Sequence, residues 1–210
     1  MAERGISVEL VAPDEIRSLG HPDEFDLAIV LGSDDSAYDD SVPWVPEELE
    51  YVRRAVASEV PVLGICFGAQ MLARALGADV HRAATPEVGW KSLIRAEEAE
   101  WLPAGPWLTW HQDTFDWPPG ATPLAWTDMA PQAFSRGDHL GLQFHPEAGA
   151  ELIEQWVDID RRQLALQGLD HDAFLAQTRL NDGQADEVAA LLFERYFDRL
   201  PTRRPAPHRG

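Results

Sequence analysis

The chain is predicted to fold as an α/β domain: a mainly parallel central sheet flanked by helices, with a small antiparallel sheet and a C-terminal helical extension. Three observations predict it. The apolar, partly β-branched run 60–65 gives way abruptly to good helix formers from Ala69 to Leu76, closed by Gly77. An earlier apolar run, 26–31, stops at Gly32, and a helix pattern opened by Pro46 lies between the two. Beyond residue 148 the period changes from two to that of a helix.

Taken in order, residues 6–12 alternate like a short strand, and 26–31 form a second. Asp34, Asp35, Asp39 and Asp40 follow, at spacings that match no cation loop, so they read as an acidic solvated loop. Leu49, Val52 and Val56 give the next helix its apolar stripe. From Asp79 to Phe144 the pattern is β-rich. Asp79–His81 reads as a short strand, 88–90 with 92–95 as a hairpin, 123–126 and 132–136 as strands, and Gly137-Asp138 as a turn. The stretch 110–113 reads as a loop. His81 and His139 read as surface or strand-end residues. Trp101, Trp107, Trp117 and Trp126 read as core and edge packing. Leu152, Trp156 and Ile159 share one helical stripe; Val188, Leu191, Leu192, Arg195 and Tyr196 share another. The tail 201–210 is rich in Pro and Arg and reads as disordered.

Composition narrows the function. A net charge of −19 over 210 residues argues against nucleic-acid phosphate as a partner. No apolar run approaches the ~20 residues needed to span a bilayer, and the start lacks the charged and apolar segments of a signal peptide. Cys66 is the sole cysteine, so there is no internal disulfide and no Cys-x-x-Cys metal or redox site, and a reducing cytoplasm is expected.

A lone cysteine usually reads as a small buried hydrophobe. Cys66, however, sits where a strand turns into a helix, with Gly64 and Gly68 flanking it in the pattern of a nucleophile elbow. The turn needs small neighbours, and the helix N-terminus favours thiolate over thiol. Downstream, Leu140, Leu142 and Phe144 alternate as a strand that runs into His145-Pro146-Glu147. Residues two apart on a strand point to the same side, so Glu147 can hydrogen-bond His145 and fix its tautomer. Pro146 donates to no ladder and marks the strand's end. Nucleophile, base and orienting carboxylate are thus Cys66, His145 and Glu147.

The motifs Gly-Ile-Cys-Phe-Gly-Ala-Gln (64–70) and Gln-Phe-His-Pro-Glu (143–147) together resemble those of class I (triad) glutamine amidotransferases. Leu31-Gly32-Ser33, Val88-Gly89-Trp90 and Trp110-His111-Gln112-Asp113-Thr114-Phe115 are most similar to the stand-alone branch that is like the amidotransferase domain of GMP synthase. The resemblance, from Phe25 to Glu147, implies a flavodoxin-like fold with the amidotransferase domain at 1–150 and a helical extension at 151–200 packed on it. It implies that the backbone N–H groups of Gly32 and Phe67 form an oxyanion hole. Family members commonly carry a second glycine where this chain has Ser33. It further implies that Gln70, together with Gln112 and Asp113 through main-chain groups, contacts the substrate, with His111 supporting their loop. Relatives usually begin with one more strand and helix than this chain shows, which predicts an N-terminus that lacks them.

The implied reaction is hydrolysis of the glutamine side-chain amide through a glutamyl thioester, with ammonia passed to an acceptor or partner synthetase and no metal or organic cofactor. No phosphate-cradling glycine loop is present, so a synthetase would be a second polypeptide. A γ-glutamyl hydrolase acting on a γ-glutamyl-amine would use the same triad. A binding or regulatory module of the same fold is the non-enzymatic alternative, and an incomplete triad would have favoured it.

Overall fold

The computed structural model describes residues 6–201. Strands β1 (Ala28–Val30), β2 (Val62–Ile65) and β8 (His139–Leu142) lie side by side and parallel. The sheet continues through β7 (Pro131–Arg136), β6 (Thr122–Trp126) and β4 (Ile94–Arg95), all antiparallel, in the order β1-β2-β8-β7-β6-β4. The sheet is therefore mixed, parallel where crossovers feed it, antiparallel along the successive hairpins of β6, β7 and β8, and extended at its edge by β4. Strands β3 (Val80–Lys91) and β5 (Trp107–Phe115) pair antiparallel as a separate two-stranded sheet.

Helices α1 (Val45–Ala57) and α2 (Phe67–Ala75) cover one face of the large sheet. Proline in the first turn and Glu47 and Glu48 beside it favour the start of α1, and Leu49, Val52, Met71 and Leu72 fill the layer beneath. The other face takes Leu63, Ile65, Leu140 and Leu142. Alternation along β2 thus sends Val62 to one layer and its neighbour Leu63 to the other. Leu102, Trp107, and Leu192 and Tyr196 from the long helix α4 (His171–Arg199) close this second layer. Helix α3 (Ala150–Leu166) packs Ile153, Val157 and Leu164 with Leu108 of β5 and Phe174 of α4.

Several expectations are corrected. Residues 6–12 form no strand; Val8 and Leu10 are exposed, and alternation makes a strand only where a neighbour takes up the backbone and one face is covered. The short strand at 79–81 and the first half of the expected hairpin are one long strand, β3, kinked by a register shift between Arg82 and Glu87. Its expected partner, 92–95, joins β6 in the other sheet instead. The stretch 110–113 is the middle of β5 rather than a loop, because its polar side chains find buried partners and do not need water. His139 is buried, with Nδ1 accepting from the Val62 N–H at 3.2 Å. Ile159 is 77 % exposed and lies off the stripe that packs. Of the tail expected to be disordered, residues 202–210 lie outside the described residues, as do 1–5 at the other end.

Candidate active site

Three adjacent parallel strands deliver three of the expected residues to one place. Gly32 follows the end of β1, Cys66 follows β2 and His145 follows β8. The register aligns Val30 with Gly64 and Ile65 with Leu142, so all three strands end at one level. This is the carboxyl-end crevice where open α/β sheets bind ligands.

The turn at Cys66 is strained. The residue has φ 52° and ψ −107°, a conformation an L side chain adopts only when its surroundings impose it. Two glycines make that possible. A Cβ on Gly64 would lie 2.3 Å from the carbonyl oxygen of Gly68, and one on Gly68 would lie 2.0 Å from that of Val30. The first turn of α2 thus rests directly on the backbone of β1 and β2. The Cys66 N–H donates to the Leu142 carbonyl at 2.7 Å, and the N–H of Gln70 donates to the Cys66 carbonyl at 3.1 Å.

His145 is anchored by its backbone N–H to the Leu108 carbonyl at 2.8 Å and by Nδ1 to Glu147 Oε1 at 2.7 Å. Its Nε2 is buried and has no hydrogen-bond partner. A Cβ on Gly32 would lie 3.4 Å from Cε1 of His145 and 3.8 Å from Cβ of Cys66, so the imidazole and the cysteine flank the same spot. Burial alone would lower the imidazole's pKa. The charge of Cys66 and the Glu147 carboxylate, hydrogen-bonded at Nδ1, outweigh that burial and raise the pKa to about 10.

The loop after β1 carries its own brace. Ser33 Oγ accepts from the Asp35 N–H at 3.1 Å, which gives this serine a local role in the turn. Farther along the loop, Ser36 donates to the Asp113 carboxylate at 2.6 Å, and Tyr38 reaches its other oxygen at 3.4 Å. Arg82 bonds Gln112 and lies 3.6 Å from Asp113. Gln112 and Asp113 thus sit on a strand beside the crevice, their side chains held by β3 and by the loop after β1. Phe67 opens α2, where the first amides have no intrahelical partner, and its ring packs on Trp44. Gln70 is buried one turn on, its amide directed at the Asp113 carbonyl and at Gln143.

Two contributors were not singled out beforehand. Trp156 of α3 sets its ring edge-on to His145, with centroids 4.9 Å apart, and also meets Trp110. Gln143 points its amide at the sulfur of Cys66. The first comes from a helix outside the motif region. The second stands inside the Gln-Phe-His-Pro-Glu motif, where it reads as ordinary strand. Among the described residues, no group of three or more His, Cys, Asp or Glu is placed to hold a metal ion, and no helix is long and apolar enough to cross a membrane.

Residues 1–155 match the family described as "Glutamine amidotransferase class-I", and the chain belongs to that family. A GMP synthase [glutamine-hydrolyzing] of Thermomicrobium roseum is 37 % identical over 126 residues, which cover 57 % of this chain and 23 % of that protein. The chain spans about a quarter of the length of such GMP synthases. Gamma-glutamyl peptidase 3 of Arabidopsis thaliana is 29 % identical over 181 residues, covering 79 % of this chain and 71 % of that one. A glutamine amidotransferase from Thermotoga maritima superposes with a TM-score of 0.76 and 28 % identity, over 93 % of this chain and 84 % of that one.

Proposed function

We propose that this chain hydrolyses the side-chain amide of glutamine, with Cys66 as nucleophile, His145 as acid and base, and Glu147 as the group that orients His145. The observation that carries it is the strained elbow that sets Cys66 at the crevice beside an imidazole held by Glu147 at 2.7 Å, with its other nitrogen unpartnered. The thiolate attacks the amide carbonyl and forms a C–S bond. The N–H groups of Gly32 and Phe67 receive the developing oxyanion. The C–N bond breaks as the His145 imidazolium gives its proton to the departing nitrogen, leaving ammonia and a γ-glutamyl thioester. Neutral His145 then takes a proton from water, the hydroxide oxygen attacks the thioester, and glutamate leaves as the sulfur regains its charge. This half-reaction needs no cofactor. Support for glutamine as substrate comes from the named activity of the GMP synthase relatives.

A second reading is favoured by one observation. The Arabidopsis gamma-glutamyl peptidase aligns over 71 % of its length, beyond the elbow and the His145 motif, which makes a γ-glutamyl-amine or γ-glutamyl peptide the alternative substrate. The chemistry at the thioester is identical; only the leaving amine differs.

Intact-mass labelling tests the nucleophile. A glutamine-like electrophile is expected to add once to the wild type, and Cys66→Ala is expected to lose both the adduct and turnover. Activity that survives in Cys66→Ala would sink the mechanism. Steady-state kinetics on glutamine and on a γ-glutamyl-amine, with the isolated chain, then separates the two readings. Weak glutaminase activity that a partner stimulates supports the first; rapid partner-free cleavage of the bulky amide supports the second.

A further inference from the structure

We infer that Gln143 is a positioning residue for the nucleophile: its side-chain amide donates to Cys66 Sγ, and Gln70 locks that amide in the donating orientation. The inference rests on Cys66 being the nucleophile.

The orientation follows from bonding capacity. Gln70 is buried, and its amide nitrogen lies 3.2 Å from the main-chain carbonyl of Asp113. A carbonyl oxygen only accepts, so the end of Gln70 that faces it must be the NH₂. The same NH₂ lies 3.2 Å from the side-chain oxygen of Gln143. With its second hydrogen committed there, Gln70 fixes which end of Gln143 is oxygen. The other end of Gln143, its NH₂, is then 3.6 Å from Sγ. Gln143 is completely buried, so no water competes for either end. On its other side the thiol donates to the Trp110 carbonyl at 3.8 Å.

The two contacts respond in opposite ways to ionisation. When the thiol loses its proton, the Trp110 carbonyl has nothing left to accept, while the N–H of Gln143 now points at a full negative charge. A donor to a charged acceptor is worth more than a donor to a neutral one. The amide therefore favours the thiolate and holds the sulfur in one rotamer. It does so through an uncharged group that keeps its protonation state through the cycle, whereas His145 must give up and regain a proton. Once the thioester forms, sulfur is a poor acceptor again and the contact weakens, so the interaction biases the attacking state.

The test follows the sole cysteine. The pH dependence of Cys66 alkylation by iodoacetamide is measured on the full chain for wild type, Gln143→Met, Gln143→Glu and Gln70→Met, with melting temperature as the check on folding. Gln143→Met removes the donor at similar volume and is expected to raise the alkylation midpoint by about one pH unit. It should lower kcat more than it changes KM. Gln143→Glu puts acceptor oxygens beside the sulfur and should raise the midpoint further. Gln70→Met frees the Gln143 amide to turn and should give an intermediate shift; it also carries the test if both Gln143 variants fail to fold. A folded Gln143→Met, or failing that a folded Gln70→Met, whose midpoint coincides with wild type overturns the inference, even if its melting temperature falls. Alkylation needs no turnover. A wild type inert towards glutamine and γ-glutamyl-amines would therefore sink the functional reading, while the alkylation midpoints would still decide whether Gln143 positions and charges the sulfur.

Discussion

His145 and His111 each face a glutamate, 2.7 Å from Glu147 in one case and 3.4 Å from Glu87 in the other. Both rings are buried. The difference is in what each ring leaves open. His111 engages both nitrogens: Nδ1 meets the Asp113 carbonyl at 3.0 Å, and Nε2 lies between Glu87 and the Gln132 amide. Glu87 is itself held by Gln132 at 2.9 Å and by Thr127 at 3.1 Å. His145 engages only Nδ1; its Nε2 has no partner, and its glutamate is partly exposed. A buried polar atom without a partner costs stability, and native structures seldom keep one without a use. The comparison separates a pair whose two ring nitrogens are both engaged from one whose second nitrogen is left free for the proposed chemistry.

The largest expected effect breaks the comparison most directly. His145→Asn should lower turnover by about 10³-fold or more while the protein stays folded, since the free nitrogen is the one the proposed reaction uses. His111→Asn should do the reverse: turnover falls much less, and melting temperature falls more, because two buried partners lose their bond. Initial rates and melting curves on the two variants check this. Equal loss of turnover in both would mean that the two histidines are not functionally distinct.

The two glutamates provide the next contrast. Glu147→Gln should lower turnover by about 10²-fold, less than loss of His145, because the imidazole keeps its place but loses the charge that stabilises its protonated form. Cys66 should remain open to alkylation. Glu87→Gln should leave turnover nearly intact and destabilise by about 1–3 kcal/mol, since a neutral amide satisfies only some of the three groups that converge on the carboxylate. Wild-type turnover in Glu147→Gln would place the third member of the constellation elsewhere.

How far the sequence carried each region follows the range of the interactions. The elbow was legible because its causes are local: an apolar strand, two glycines where a Cβ would strike backbone, and a helix start lie within 60–76. His145 and Glu147 were legible because they stand two positions apart. The family's motifs placed Gly32 beside them, and the register of β1, β2 and β8 agrees. Contacts across 30 or more positions left no local trace. The face of β5 towards His111, Gln112 and Asp113 depends on β3 and on Ser36 and Tyr38, so 110–113 looked like loop. The link from Gln70 to Gln143 spans 73 positions, and two glutamines in apolar runs carry no signal of their pairing. Trp156 looked like packing on a peripheral helix and is packing, but against the ring of His145.

The smallest expected effect sharpens the comparison through pH. The pKa of His145 is raised from 6.5 to about 10 in the folded chain: burial opposes the shift, and Cys66 and Glu147 outweigh it. A raised pKa means that the folded state holds more protons than the unfolded one between those values. Its stabilising contribution is therefore complete below pH 6.5 and is lost as pH rises towards 10. Glu87 behaves oppositely. Burial would raise its carboxyl, but hydrogen bonds from His111 and Thr127 hold it below its ordinary 4.5. Its contribution is complete above pH 4.5 and is lost as pH falls further. The two pairs should thus act at opposite ends of the stability profile. Other buried groups titrate as well, Glu48 among them with its carboxyl raised by burial to about 7, so the readout is the difference between wild type and variant at each pH. In denaturant melts from pH 3.5 to 10, the wild-type advantage over His145→Asn should shrink on the alkaline side only, and that over Glu87→Gln on the acid side only. A Glu87→Gln difference that stays constant as pH falls below 4.5 would mean that the folded chain does not hold this carboxyl in its charged form, and the distinction between the two pairs would fail.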